Sequence, residues 1–143
     1  VDFHWVGGHP ADVGRVRRRV NKKLVNVKVP GWVAHAEIPS LLWRSDGLLL
    51  VPSAKHPSAL WTSPVKLGEY LATGVPIVAT AIPALKYWLR DEVVWTPPDD
   101  PEGLAERIVS LQRQRYDLGF LRARAIARAR DFSYESRAMQ ILH

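Results

Sequence analysis

Two uninterrupted apolar runs with one helix between them limit the fold of this chain more than any other feature of its sequence. Residues 48–51 and 77–79 carry only apolar side chains, and runs without polar alternation are typical of parallel strands covered on both faces. Between them, Ser63 can cap a helix that has Pro64 in its first position and ends before Gly74. The stretch therefore predicts two parallel strands, with a helix N-terminus at the carboxyl edge of their sheet.

The same alternation of strands and helices continues along the chain. Strands are predicted at residues 2–6, 26–29, 46–52, 77–80 and 93–96, and helices at residues 12–24, 37–44, 63–73, 83–90, 99–111, 118–132 and 134–142. This order predicts right-handed crossovers and an α/β fold class, a doubly wound parallel sheet in one domain over residues 1–143. Because the chain begins at Val1 rather than Met, we expect it to be a fragment of a longer one.

The charge of the chain is positive, with 20 Lys and Arg against 14 Asp and Glu, a formal net charge of +6, and no cysteine. The basic residues form two clusters, at residues 15–23 and 107–137. Such clusters are typical of solvated helix faces and are also compatible with an anionic membrane surface or a phosphorylated ligand. They are not interleaved with aromatic residues, so nucleic-acid binding is not expected. Without a signal peptide or a long apolar run, the expected location is the cytoplasm, with peripheral membrane binding left open.

Several common cofactor and metal motifs are missing. The sequence has no GxxxxGK[ST] loop, and Gly7, Gly8 and Gly14 do not fit GxGxxG, so neither an NTPase nor a dinucleotide oxidoreductase is indicated. The five histidines lack metal-ligand spacing, and no Asp-x-Asp pair is present to hold a divalent ion on a nucleotide. We therefore expect no metal site and no cofactor.

The helix that starts at Ser63 is the candidate site for an anion. With a proline in its first position, the N–H groups of Val65, Lys66 and Leu67 are unpaired, and the helix dipole adds partial positive charge. A diphosphate fits that environment. Glu69 lies on the same face as Val65, and its carboxylate can accept hydrogen bonds from ribose hydroxyls. The alternative is that Glu69 is an ordinary surface residue and Ser63 only a cap; the pattern leaves both open.

Five segments, spread over nearly the whole chain, carry a family resemblance. They are VGG at Val6, NVKVPGWV at Asn26, SDGLLLVPS at Ser45, SPVKLGEYLATGVPIVAT at Ser63 and PDDPEGLAERI at Pro98. In this order they resemble the nucleotide-sugar-binding C-terminal domain of retaining GT-B glycosyltransferases (glycosyltransferase family 4, group 1). The resemblance implies a Rossmann-like half of a GT-B fold. The resemblance further implies that this domain binds a UDP-, GDP- or ADP-sugar as donor substrate without a metal. The binding cleft is then expected to face an N-terminal acceptor domain that lies outside this chain.

The resemblance also implies roles for particular residues. Glu69 matches the second glutamate of the family's Glu-x7-Glu motif, which holds the ribose hydroxyls. Val65 and Lys66 match the positions whose backbone amides bind the donor diphosphate. Val33 matches the segment that contacts the nucleobase, and the pair Gly7–Gly8 matches a close-approach turn beside the cleft. These matches extend the assignment that the helix start alone suggested.

The sequence departs from the family pattern at three places. The first glutamate of the motif falls on Trp61, which is either a sugar-stacking platform or packing for its loop. The glycine just before the diphosphate amides falls on Pro64. The family domain also begins with one further strand and helix, whose Arg and Lys neutralise the diphosphate leaving group, and residues 15–19 lie on the following helix and cannot substitute for them. The catalytic residues are therefore unknown, and we expect this chain alone to be inactive.

The absent first strand bears on assembly and on function. In the doubly wound order that strand is central, so its absence would leave an open seam of unpaired backbone groups. We expect another chain segment, a symmetry mate in an oligomer or an altered pairing to fill the seam. The alternative function is a non-catalytic nucleotide-sugar-binding or assembly module with the same fold.

Overall fold

The structure, a computed structural model, describes residues 1–20, 26–61 and 66–142, except for the side chains of residues 58, 137 and 140–142. The chain divides into two compact units, Val1–Ser40 and Leu41–His143. That the chain forms one domain stays a prediction.

The first unit is a parallel strand pair with one helix between its strands. Strand β1 (Phe3–Val6) is followed by helix α1 (Pro10–Val20) and strand β2 (Val27–Gly31). The two strands pair in parallel, with an irregularity in register between His4 and Val6. Helix α1 buries Val13 and Val20, two of the apolar positions expected from its spacing. A 3-10 turn, His35–Glu37, follows.

The second unit is a three-stranded parallel sheet with helices around it. Helix α2 (Ile38–Trp43) leads into it. The elements that follow are β3 (Leu48–Leu50), α3 (Lys66–Thr73), β4 (Ile77–Thr80), α4 (Pro83–Trp88), β5 (Val94–Thr96), α5 (Pro101–Gln112), α6 (Leu118–Ala129) and α7 (Tyr134–Leu142). The strand order is β3-β4-β5, and both pairings are parallel.

Both faces of this sheet are covered. Ile77 and Ala79 of β4 belong to a cluster with α3 and α4 that includes Leu67, Leu71 and Leu85. The alternate residues of the strands lie in a second cluster, which contains Val78, Val94 and Leu121. All four residues of β4 are buried, as the uninterrupted apolar run predicts for a central parallel strand. None of the described helices is long and apolar enough to cross a membrane.

The α/β fold class with parallel strands is confirmed, and several predicted helix ends are confirmed with it. Gly74 follows α3 with φ +65°, Asp100 accepts a hydrogen bond from the Gly103 N–H at the start of α5, and the Ser133 hydroxyl accepts one from the Ser136 N–H at the start of α7. The strands form two sheets rather than one, β1-β2 and β3-β4-β5.

Other boundaries differ from the predictions by a few residues. Helix α1 begins at Pro10 rather than at residue 12, since proline is well suited to a first helical turn. Strand β2 continues to Gly31. Strand β3 is three residues long rather than seven. The predicted start of α3 at Ser63 and the predicted end of α1 at Leu24 lie outside the described residues.

Candidate functional site

The loop that leaves the carboxyl end of β3, residues 51–61, is held at three points. The Thr80 hydroxyl donates a hydrogen bond to the Pro52 carbonyl at 3.0 Å. The Ala54 N–H donates one to the Asp99 carboxylate at 3.1 Å. A 3-10 turn then packs against α4 and buries Ala59. The first part of the loop is thus attached to the ends of β4, β5 and α4.

Beyond Ala59 the loop is exposed. Leu60 is 71% and Trp61 75% exposed. The two interpretations of Trp61 from the sequence, a sugar-stacking platform or packing for its loop, both stay predictions. The exposure of Trp61 leaves the ring available to a ligand.

Helix α3 presents one apolar and one charged face. Leu67 and Leu71 have no exposed surface, whereas Lys66 and Glu69 are exposed. Because the side chain of Leu67 is in the core, its predicted contribution to binding rests on its backbone N–H. The buried leucines fix the helix against the sheet, so that Glu69 is presented from a rigid element.

Glu69 lies in the first turn of the described helix, where the helix dipole favours a carboxylate. No ion pair joins it to another residue of the described part of the chain. Burial, and then the negative charge of Glu69 beside it, raise the pKa of Tyr70. The phenol of Tyr70 is therefore protonated at neutral pH and carries no charge beside Glu69.

Two of the residues predicted to bind the donor, Ser63 and Val65, lie outside the described residues, as does Pro64. Of the predicted N-terminal turn, only Lys66 and Leu67 are described. Trp61, Lys66, Leu67 and Glu69 belong to the second compact unit.

The predicted glycine turn and nucleobase segment belong to the first unit. Gly7 and Gly8 have φ values of +91° and +98°, and the Gly7 N–H donates a hydrogen bond to the Gly31 carbonyl at 2.7 Å. A Cβ atom on Gly7 would meet nothing within 4 Å, so backbone conformation rather than space requires glycine there. Val33, which is half-buried, follows Gly31 by two residues. The structure thus brings Gly7 and Gly31 together where β1 and β2 end.

The sequence predicts Asp99 at the start of a helix and gives it no role at the site, whereas α5 begins at Pro101 with Asp100 as its cap. Asp99 holds the 51–61 loop through Ala54, and its φ of +54° is left-handed. Asp tolerates that conformation better than most residues. Its position after two prolines was the only local sign of an unusual turn at Asp99. The hydrogen bond to Ala54 spans 45 residues, so no local sequence pattern predicts it.

Three arginines of the basic clusters hold parts of their own unit. Arg17 donates hydrogen bonds to the carbonyls of Val29 and Pro30 at 2.8 and 2.6 Å. Arg124 pairs with Asp91 at 2.7 Å, and the hydrogen bond from this guanidinium lowers the pKa of Asp91. Arg128 donates to the Trp88 carbonyl. These three side chains form hydrogen bonds or an ion pair within the fold, which the interpretation of the clusters as solvated helix faces does not predict.

No group of three or more His, Cys, Asp or Glu residues within ranges 1–20, 26–61 and 66–142 is arranged to hold a metal ion.

The chain belongs to the group 1 glycosyltransferases. The family model described as "Glycosyl transferases group 1" matches residues 1–114, which confirms the family that the sequence resembles. No curated protein matches the chain.

The fold is similar to that of two solved structures of Anabaena HepE, one in complex with UDP-glucose and the other with UDP and glucose. Their sequence identity to this chain is 21% and 20%, and each match has a TM-score of 0.72 and covers 90% of this chain. The matches cover 36% and 35% of the HepE chains, so this chain spans little more than a third of their length. At this identity the likeness shows the fold, a Rossmann-like part of a GT-B glycosyltransferase.

Proposed function

We propose that this chain is the donor-binding part of a glycosyltransferase and holds a nucleoside diphosphate sugar as substrate. Membership of the group 1 family over residues 1–114 supports the class of enzyme. The shared fold with HepE, which was solved with UDP-glucose, supports a nucleotide sugar as the ligand.

The observation that carries the proposal is the exposed Glu69 at the start of a helix anchored in the core. Leu67 and Leu71 are fully buried, so the carboxylate is presented without the flexibility of a loop. Ribose hydroxyls donate hydrogen bonds that a carboxylate can accept. Hydrogen bonds to a charged group are stronger than those between two neutral groups. In this proposal Glu69 binds the ribose.

The remaining residues complete the donor site in the proposal. Backbone amides at Val65, Lys66 and Leu67 bind the diphosphate, and Ser63 caps the helix that carries them. The exposed indole of Trp61 stacks on the donor sugar. For the first unit taken by itself, the family resemblance implies that the pair Gly7–Gly8 allows close backbone approach to a ligand and that Val33 contacts a nucleobase.

We propose a retaining, metal-independent transfer to an acceptor. As the anomeric bond breaks, negative charge develops on the leaving diphosphate, and fixed N–H dipoles at a helix N-terminus stabilise that charge. The acceptor site and the Arg and Lys that complete charge neutralisation are contributed by an acceptor domain and a preceding strand and helix of the full-length protein.

One observation favours a second candidate, a non-catalytic nucleotide-sugar-binding module. Trp61 stands where the family has a sugar-contacting glutamate, and an indole cannot accept a hydrogen bond from a sugar hydroxyl as a carboxylate does. Assays of donor turnover by the full-length protein separate the two candidates: a module binds the nucleotide sugar without consuming it.

The test of the proposed function is a thermal shift of the full-length protein with UDP, GDP and ADP. A ligand present at about 100 times its Kd stabilises the folded state by about 2.7 kcal/mol and raises Tm. We expect at least one nucleotide to do so. Glu69→Ala should reduce that shift to about half or less, because losing a charged acceptor for the ribose weakens binding roughly tenfold or more.

Glu102→Ala is the matched control, since Glu102 is also an exposed glutamate in the first turn of a helix, α5. It should keep the shift of the parent. A Glu69→Ala protein that responds like the parent removes Glu69 from the ribose site. A parent that responds to none of the three nucleotides overturns the proposed function.

A further inference from the structure

Asp99 combines an unfavourable backbone with a long-range hydrogen bond. Its φ is +54°, and among the described non-glycine residues only Gln114 shares a positive φ. A residue with a Cβ atom is strained in this conformation, and such strain persists only where the surroundings enforce it. The observation raises the question of what the carboxylate of Asp99 does.

The carboxylate of Asp99 is held on a fixed part of the second unit. The next residue, Asp100, caps α5 through the Gly103 N–H at 3.0 Å, and its carbonyl accepts a hydrogen bond from the Leu104 N–H. The preceding strand, β5, is tied to the end of β4 by a bond from the Ala81 N–H to the Thr96 carbonyl. Asp99 is thus a short side chain between two anchored segments.

From that position Asp99 reaches the loop that leads to the donor site. Its Oδ2 accepts a hydrogen bond from the Ala54 N–H at 3.1 Å. Ala54 lies between the two other attachments of the loop, at Pro52 and Ala59. This bond joins Ala54 to the segment that follows β5.

We propose that Asp99 is a positioning residue for the donor site, an inference that rests on the proposed function. Its carboxylate fixes the 51–61 loop, and through this loop it sets the place from which Trp61 meets the nucleotide sugar. Asp99 touches no substrate in this assignment. The backbone strain at residue 99 is maintained because the left-handed conformation directs the carboxylate to Ala54.

The main variant that tests this is Asp99→Gly in the full-length protein. Glycine adopts φ +54° without strain, so the folded state keeps its turn and loses only the acceptor. We expect an unchanged or higher Tm without nucleotide. The affinity for the nucleotide that binds the parent should fall roughly fivefold, because binding must then order a loop that Asp99 no longer holds in place.

Two further variants separate positioning from strain. Gln114→Gly relieves the same kind of strain at an exposed residue after α5 and should leave the affinity unchanged. Asp99→Asn keeps an acceptor oxygen and tolerates the left-handed conformation, so it should retain most of the affinity. Hydrogen exchange at Ala54, measured without nucleotide, should become faster in Asp99→Gly and stay slow in Asp99→Asn.

The outcomes distinguish this inference from the proposed function. If the parent binds nucleotide and Asp99→Gly binds it equally well, the positioning role is wrong and the proposed function stands. Unchanged exchange at Ala54 in Asp99→Gly also overturns the positioning role, whatever the affinity. If the parent binds no nucleoside diphosphate, both fail together.

Discussion

Gly74 ends α3 in a backbone conformation that is strained for any other residue, and at a position where α6 leaves no room for a side chain. Its φ is +65°, and a Cβ atom would lie 2.8 Å from Cγ of Arg122 and 3.0 Å from Cδ1 of Ile126. Gly74→Ala therefore combines left-handed strain with a clash against α6. We expect the free energy of unfolding to fall by about 2 to 3 kcal/mol in chemical denaturation.

Gly47→Ala is the control for that substitution in the same compact unit. A Cβ atom on Gly47 would be 3.8 Å from the Pro76 carbonyl oxygen, an ordinary contact, and no positive φ is required there. Its effect should stay within about 0.5 kcal/mol. Equal stabilities for the two variants would show that α6 moves aside at Gly74, contrary to the close packing of the two helices.

Residue-level predictions from the sequence succeed where neighbours in the chain decide the outcome. Gly74 ends its helix and Ser133 begins one because both depend on bonds within a few residues. The attachment of Asp99 to Ala54 joins residues 45 apart, and nothing in either local sequence encodes it. The exposure of Trp61 likewise depends on where α4 packs against the loop. The whole donor site, Glu69 and Trp61 as much as Ser63 and Val65, stays a prediction.

Arg128 attaches helix α6 to the segment between α4 and β5. Its Nε and Nη2 donate hydrogen bonds to the Trp88 carbonyl at 3.1 and 2.6 Å, and its Nε lies 3.6 Å from Oε1 of Glu92. Glu92 is only 3% exposed. Its Oε2 accepts a hydrogen bond from the Arg90 N–H, while its Oε1 has no hydrogen-bond partner in the described part of the chain. The guanidinium is therefore the ionic partner of a buried carboxylate.

Arg128→Ala should destabilise the fold by about 2 to 3 kcal/mol, measured by chemical denaturation. The truncation removes two hydrogen bonds to a carbonyl and leaves a buried charge unpaired. Adding Glu92→Gln should recover part of the loss, since the amide carries no charge and can still accept from Arg90. Additive losses in the double variant would mean that Arg128 and Glu92 are not coupled.

Arg124→Ala is the comparison on the same helix. Arg124 pairs with Asp91, but about half of each side chain is exposed. Exposed pairs contribute little to stability, so this loss should be clearly smaller than that of Arg128→Ala. At the scale of the helix, the sequence predicts a helix over residues 118–132, of which Leu118–Ala129 forms α6, but it does not predict which arginines are structural. The difference between Arg124 and Arg128 depends on the residues that each one contacts, which lie more than 30 positions away in the sequence.

At the scale of the whole molecule, the sequence predicts the fold class but not the grouping of its strands. Continuous apolar runs indicate strands covered on both faces, because that burial belongs to each strand alone, and strands covered in this way are typical of parallel sheets. Which strands pair depends on contacts between distant segments. The five described strands form a pair and a triplet, and β3 lies at one edge of the triplet. An apolar edge strand is an unfavourable element to leave in water.

The backbone of β3 provides the test of the open seam. The Leu48 N–H donates to the Pro76 carbonyl at 2.8 Å, towards β4, and β3 pairs with β4 residue by residue. Since successive N–H groups of a strand point to opposite sides, the Leu49 N–H points away from β4.

We expect the full-length protein to place another strand there and to protect Leu49 from hydrogen exchange as strongly as Leu48 and Leu50. The same measurement on residues 1–143 alone should show Leu49 exchanging at least tenfold faster than its two neighbours, because an unpaired amide exchanges without opening the sheet. Fast exchange at Leu49 in the full-length protein would mean that no strand pairs with this edge and that the seam stays open.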